Sequence, residues 1–275
     1  MVTLSAFADE IHPDLTVQMD ELQKNGVRYI ELRGVWGKNV KDLTKDEVKR
    51  IQEQLRERGF GISSIGSPIG KIGIRDDFAP HFDIFKRIVD TALALDSKYI
   101  RVFSFYIPEN EDPKYFRDDV MERLSRLVEY VEDIDVTLLH ENEKGIYGDT
   151  GDRNLDILTA IDSPKLRAVF DPANYVQCKQ RPYEDCFVKV KDYIEYVHIK
   201  DAVMETGKVV PAGAGDGDVK KALSELAQDG FAGFLSLEPH LQAAGAMSGF
   251  SGPELFKVAA DALKSILEEI GLDWN

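Results

Sequence analysis

Residues 135–149 read DVTLLHENEKGIYGD, and the reading of this stretch decides the fold. Val136–Leu139 is an apolar, β-prone run. It passes without a turn into His140, Glu141, Asn142 and Glu143. Charged side chains are rarely buried without partners, so a strand that ends this way leads into a surface that carries chemistry or simply leaves the core. The rest of the chain distinguishes the two.

Working outward, the same grammar repeats. Strand-type runs occupy 3–9, 28–34, 61–67, 98–105, 135–141, 166–172, 195–201 and 233–239. Between them, apolar residues recur at i, i+3 and i+4 over 14–26, 44–59, 79–96, 113–132, 153–161, 183–193, 217–229 and 253–270. Gly26 and Gly59 stand where helix C-caps belong, and Thr44 with Glu47 three residues on has capping-box spacing. Eight strands alternate with eight helices. Strands joined by helical crossovers run parallel. Eight such units predict an α/β fold of the (β/α)8 TIM barrel type. An open doubly wound sheet is the competing arrangement, but it usually shows a Gly-rich turn after its first strand, and here that strand ends in Ala8-Asp9-Glu10. No Pro- or Ser-rich linker interrupts the pattern, so residues 1–275 are read as a single domain.

Composition narrows the function. Of 275 residues 43% are hydrophobic, enough for a sizeable core, and the formal net charge is −15. A nucleic-acid partner needs clustered Lys and Arg, so it is disfavoured, and a small-molecule ligand is favoured. No apolar run is long enough to span a membrane, and the N-terminus carries no basic-then-apolar leader. Cys178 and Cys186 form no zinc or redox motif and read as reduced thiols. A cytoplasmic protein with no membrane partner is expected.

In a barrel, chemistry gathers where strands end. Side chains alternate along a strand. If Glu141 faces the axis, so do Thr137 and Leu139, and His140 faces the helices. The same rule aligns Asp171 with Val169, His198 with Tyr196 and Lys200, and Glu238 with Ser236 and His240. One phase per strand then sets Glu141, Asp171, His198 and Glu238 at one height on four consecutive strands. Three carboxylates and an imidazole that close must take up protons or share a cation. The donor set suits one divalent metal ion, Mn2+ first, with Mg2+, Co2+, Fe2+ or Zn2+ also within its range. Singly, each of these residues reads as a solvated loop residue; the set of four is what points to a metal.

The motifs HENE (140–143), FDPAN (170–174), VHIKD (197–201) and LEPH (237–240) resemble those of the xylose-isomerase-like TIM barrels, the sugar phosphate isomerase/epimerase superfamily, also called AP-endonuclease family 2. The resemblance spans almost the whole chain. It implies that Glu141, Asp171, His198 and Glu238 hold one divalent cation and that Glu141 and Glu238 double as an acid/base pair. It also implies a homodimer, since related barrels commonly pair. Two positions depart from the pattern. Glu143 stands where many members carry His on strand 5, and Asn174 stands where many carry His after strand 6. Both departures bear on the substrate.

The expected activity is a metal-dependent sugar isomerase or epimerase that abstracts a proton α to a carbonyl. A lyase of the same superfamily, acting as a keto-inositol dehydratase or on a 3-keto-glycoside, is the alternative. An AP endonuclease is disfavoured by five histidines in all and by the acidic charge. A non-catalytic sugar-binding barrel is disfavoured by the intact donor set. The residues expected to grip a sugar or sugar-derived ketone are Arg33, Lys71, Lys200, His240, Glu143 and Asn174. For Arg33 and Lys71 a salt bridge to a nearby acid is an equal reading. Trp36, Phe105 and Tyr106 are candidates for an apolar wall or for ordinary packing. The loop PAGAGDGD (211–218) lacks Walker spacing, so Asp216 or Asp218 is expected to cap the seventh helix.

Overall fold

A computed structural model of the chain describes residues 1–241 and 251–275. Eight parallel strands close a barrel in chain order. They are β1 (Thr3–Ala6), β2 (Tyr29–Leu32), β3 (Gly61–Ile69), β4 (Tyr99–Val102), β5 (Thr137–Glu141), β6 (Leu166–Phe170), β7 (Ile194–Ile199) and β8 (Phe234–Leu237). β8 closes against β1 with Ser5 opposite Ser236. The TIM barrel expected from the alternation of periods is therefore the fold.

The helical layer comprises α1 (Leu15–Lys24), α2 (Lys45–Arg58), α3 (Phe78–Ala94), α4 (Arg117–Tyr130), α5 (Gly151–Ile161), α6 (Pro172–Gln177), α7 (Val219–Gln228) and α8 (Gly252–Ile270). Local chemistry sets several of their ends. Asp14 accepts from the Thr16 and Val17 amides at the start of α1. Thr44 and Glu47 close a reciprocal capping box on α2, which Gly59 ends at φ 67°. Among the described residues no helix is long and apolar enough to cross a membrane.

Alternation divides the core in two. On β5 and β8, Leu138, Leu235 and Leu237 join the large shell between sheet and helices. Leu139, Val169 and Tyr196 instead meet inside the barrel, with Tyr99 and Phe234 against them. Ser63 is bonded to Ser5 at 2.5 Å and to the Tyr196 hydroxyl at 2.8 Å. The barrel is thus filled from below, and its upper layer is left to charged side chains.

Several elements differ from the pattern read in the sequence. β4 stops at Val102 and not at residue 105, because Phe105 takes φ 64° and turns out of the sheet. Residues 183–193 are not one α-helix: a π-helical turn at Pro182–Phe187 leads through Val188–Val190 into a 3-10 turn. Helix α6 follows directly on β6, with Asp171 as its N-cap and Pro172 in its first turn. A hairpin, Gly34–Val35 with Lys38–Asn39, closes over Trp36 and Gly37 at φ 52° and 73°. Two positive φ values are what a two-residue turn of the I′ kind requires.

The seventh-helix cap is also a correction. Asp218 precedes α7 at φ 52° and makes no side-chain cap bond, since capping geometry needs an extended residue there. Asp216 accepts from the Met204 amide at 2.6 Å instead. The loop is organised by Asp201, whose carboxylate accepts from the amides of Ala202, Gly213, Gly215 and Gly217 at 2.8, 2.9, 3.1 and 2.8 Å. A Cβ at Gly217 would lie 2.6 Å from Asp201 Oδ1, so only glycine lets this backbone approach.

Candidate metal centre

The C-terminal ends of β5 to β8 bring four side chains to one point. Glu141, Asp171, His198 and Glu238 are all buried, and one donor atom from each lies within 4.8 Å of the others. His198 Nδ1 faces Glu141 Oε1 at 3.4 Å, Asp171 Oδ2 at 3.7 Å and Glu238 Oε2 at 3.8 Å. The other ring nitrogen, Nε2, donates to Glu31, whose oxygens lie at 3.2 and 3.3 Å.

That orientation has a consequence. With Nε2 protonated toward Glu31, the Nδ1 lone pair of a neutral ring points at three carboxylate oxygens. His198 Nδ1 is buried without a hydrogen-bond partner. Burial opposes charge on His198, but Glu31 and Glu141 outweigh it and hold the imidazole well above its usual range. Without an ion the ring therefore holds a proton, and a divalent ion at this point would take that proton's place. Donors about 2.0–2.2 Å from a divalent ion sit roughly 3.0–3.6 Å apart in neighbouring positions. Of the observed spacings, 3.4 Å falls inside that window and 3.7 and 3.8 Å fall just outside it, and the donor set of three carboxylates and one imidazole fits such an ion. The Glu31–His198 contact is the outer-shell carboxylate that commonly orients a metal-ligating histidine.

Both glutamates are ionised. Burial pushes the Glu141 carboxyl up, but His198 and Arg101 outweigh it and bring it down to about 2. Burial likewise opposes charge on Glu238, and Lys200 and its other cationic neighbours overcome it.

Asparagines brace the carboxylates. Asn174 Nδ2 donates to Glu141 Oε1 at 3.0 Å and to the Asn142 carbonyl at 2.9 Å. Asn142 bonds the Asp171 backbone in both directions, donating at 2.9 Å and accepting at 3.1 Å. Asn174 thus touches the centre itself. Lys200 Nζ reaches Asp171 Oδ2 and Glu238 Oε2, each at 2.8 Å. Arg33 forms a two-point bridge to Asp9 at 2.8 and 3.0 Å and reaches Glu238 Oε1 at 2.9 Å. His240 Nε2 lies 3.4 Å from Glu10 and 3.8 Å from Glu238. Lys71 and Glu143 pair with each other at 2.9 Å, farther out on the rim. Arg33 and Lys71 therefore do form salt bridges, and that of Arg33 ends on the centre.

The remaining histidines face elsewhere. His140 Nδ1 meets Asn154 of α5 at 3.0 Å, in the helical shell as parity predicts. His81 accepts from the Gly70 amide at 2.8 Å, and His12 accepts from the Asp14 amide at 3.0 Å. Phe105 is fully buried and packs edge-on against Phe78 of α3, and Trp36 lies under Arg50, so these two rings are packing.

Glu31 and Arg101 were not singled out as site residues, yet both lie inside it. Arg101 Nη1 donates to Glu141 Oε2 at 3.0 Å. Strand parity carries the signal for both. Ile30 and Leu32 pack outward, which turns Glu31 inward, and Ile100 and Val102 do the same for Arg101.

A closed parallel barrel whose strand ends 5 to 8 present a buried carboxylate–imidazole cluster defines the class: a TIM barrel with a candidate metal centre. Residues 19–266 match the xylose isomerase-like TIM barrel family, and the chain belongs to it. Among solved structures it is similar to a D-tagatose 3-epimerase-like protein, at 21% identity and TM-score 0.78, with 98% of each chain covered. It is also similar to the probable 3-DHS dehydratase AsbF from Bacillus anthracis, at 17% identity and TM-score 0.75, over 96% of this chain and 99% of that one. A third, the IOLI protein with a bound zinc atom, shares 15% identity at TM-score 0.76, over 98% and 99% of the two chains. At these identities the likeness is one of fold. No curated protein matches the chain.

Proposed function

We propose that this protein is a divalent-metal-dependent isomerase or epimerase of a sugar or sugar-derived ketone, with Glu141 and Glu238 as its acid/base pair. The observation that carries this reading is the approach of these two carboxylates to His198 Nδ1, at 3.4 and 3.8 Å, from the non-adjacent strand ends of β5 and β8. Glu141, Asp171, His198 and Glu238 would hold the ion, Mn2+ first. Bound there, it supplies positive charge to stabilise a carbonyl oxygen that becomes anionic as the neighbouring C–H is lost.

The protein's own residues do the rest. One glutamate accepts the α-proton while the C–H pair becomes the C=C bond of an enediolate. In isomerisation the same glutamate hands that proton to the neighbouring carbon; in epimerisation the other glutamate, once it has taken a proton from water, delivers it to the opposite face. Both carboxylates enter the cycle ionised, so in epimerisation water supplies the proton that is delivered and takes up the one that was abstracted. Reach comes before acidity in such transfers. Arg33, Lys200, His240 and Asn174 lie within the same layer and would orient substrate oxygens; Lys71 and Glu143 would do so at the rim.

One observation supports a lyase reading. Lys200 places an ammonium 2.8 Å from both Asp171 and Glu238, where it could protonate a departing oxygen. A screen of ketoses, keto-inositols and 3-keto-glycosides in D2O with metal-loaded protein separates the two. Deuterium α to the carbonyl in an isomer supports the first reading, and an unsaturated product supports the second. Glu238→Gln is expected to lower turnover by about 10²–10⁴-fold with metal still bound. Full turnover in that variant would remove Glu238 from the pair.

A further inference from the structure

Phe7 follows β1 and is fully buried, yet its ring lies among charges. Its neighbours Ala6 and Ala8 belong to the apolar shell, and Phe7 does not. The Arg33 guanidinium carbon lies 4.5 Å from the Phe7 ring centre and that of Arg101 lies 4.9 Å from it. Arg101 is also 5.0 Å from the Phe103 ring, and Lys71 Nζ is 4.3 Å from the same ring. The contact order is Arg33, Phe7, Arg101, Phe103, Lys71, with cations and rings alternating. Each cation reaches a different glutamate: Arg33, also bridged to Asp9, reaches Glu238, Arg101 reaches Glu141 and Lys71 reaches Glu143. Phe7 and the His198 ring also meet edge to face, with their centres 5.1 Å apart. Gly66 makes room for it, since a Cβ there would lie 2.9 Å from Phe7 Cε1.

We propose that Phe7 is a positioning residue that aligns Arg33 and Arg101, and through them the two glutamates. The inference rests on the acid/base reading above. An aromatic face attracts guanidinium groups and is a flat surface for them to lie on, and the attraction grows when water is excluded. Two like charges in one buried layer would otherwise turn apart. Each glutamate gives one oxygen to an arginine, Oε2 of Glu141 and Oε1 of Glu238, and turns the other toward His198. Asp9 holds Arg33 at two points and the Gly66 carbonyl holds Arg101 at one, but a guanidinium that tilts about those bonds would release the glutamate oxygen, and the carboxylate could then present either one. The ring thus acts on which oxygen faces the substrate, without touching the substrate.

The test uses the full-length, metal-loaded protein as wild type, as Phe7→Leu, and with mono-, di- and trifluorophenylalanine at position 7. Fluorination keeps the ring's shape and weakens its attraction for cations in steps. The readouts are the guanidinium NMR signals of Arg33 and Arg101 and the kcat and KM for the carbonyl substrate found in the D2O screen. In Phe7→Leu both arginine signals are expected to lose the ring-current shift that Phe7 contributes and to broaden as the guanidinium groups lose their fixed orientation. Its kcat is expected to fall ten- to a hundredfold with KM within twofold, and the fluorinated series to lower kcat stepwise. A folded Phe7→Leu with wild-type signals and kcat overturns the proposal, as does a fluorinated series that stays at the wild-type value. If Phe7→Leu does not fold, the fluorinated series decides. If wild type neither binds a divalent ion nor exchanges a substrate proton, the acid/base reading fails by itself, and the guanidinium spectra still show whether Phe7 orders the arginines.

Discussion

His198 Nε2 lies 3.2 Å from Glu31, and this contact across the barrel fixes which ring nitrogen faces the carboxylates of β5, β6 and β8. Outer-shell carboxylates of this kind typically contribute 10–100-fold to metal affinity. Glu31→Gln is therefore expected to weaken Mn2+ binding by about that factor, measured by calorimetric titration, with the fold retained by circular dichroism. Unchanged affinity would mean that the ring holds its tautomer without Glu31.

Lys200 bridges two carboxylates of the centre, Asp171 and Glu238. Removing one partner of a buried ion pair typically costs about 3–5 kcal/mol, because the other charge is left unpaired. Lys200→Met should destabilise the metal-free protein on that order. A divalent ion neutralises the same carboxylates, so saturating Mn2+ should raise the variant's melting temperature more than that of wild type. Equal increments in the two proteins would separate Lys200 from the cation's electrostatic role.

Asp201 offers one carboxylate to four backbone amides of the loop between β7 and α7. An amide side chain keeps one acceptor oxygen and a methyl keeps none. Stability should fall in the order wild type, Asp201→Asn, Asp201→Ala. The last should lose at least about 2 kcal/mol and open residues 211–218 to proteolysis. An alanine variant as stable and as resistant as wild type would show that water satisfies these amides.

His81 is buried and neutral. Burial, with Arg123 nearby, lowers its pKa to about 4 from an ordinary value near 6.5. The unfolded chain thus binds a proton that the native state refuses. Stability is complete above the unfolded value and declines as pH falls from 6.5 toward 4, with no further loss from this group below that. At pH 4.5 the loss from His81 should approach about 2–3 kcal/mol. His81→Gln keeps an acceptor for the Gly70 amide without titrating. Its denaturant midpoint should therefore fall less between pH 7 and pH 4.5 than that of wild type. Parallel curves would assign the acid sensitivity to other groups.

What the sequence determined by itself was whatever depends on period and parity. The alternation of two-residue and 3.6-residue patterns specified a barrel, because strands joined by helices have few other ways to pair. Parity along β5 to β8 brought Glu141, Asp171, His198 and Glu238 to one layer and turned His140 into the shell. The same parity on β2 and β4 turned Glu31 and Arg101 inward, each next to the last residue of its strand. Only the tertiary structure decided who partners whom. Arg33 reaches Glu238 across 205 positions of sequence, and His198 meets Glu31 across 167. Closure of β8 on β1 makes the first contact, and the inward angle of opposed strands makes the second. Backbone turns such as Phe105 at φ 64° and Asp218 at φ 52° also ended a strand and undid a cap in ways no residue type announced. Buried charge is settled by the partner nearest in space, and closure of the barrel is what chooses that partner.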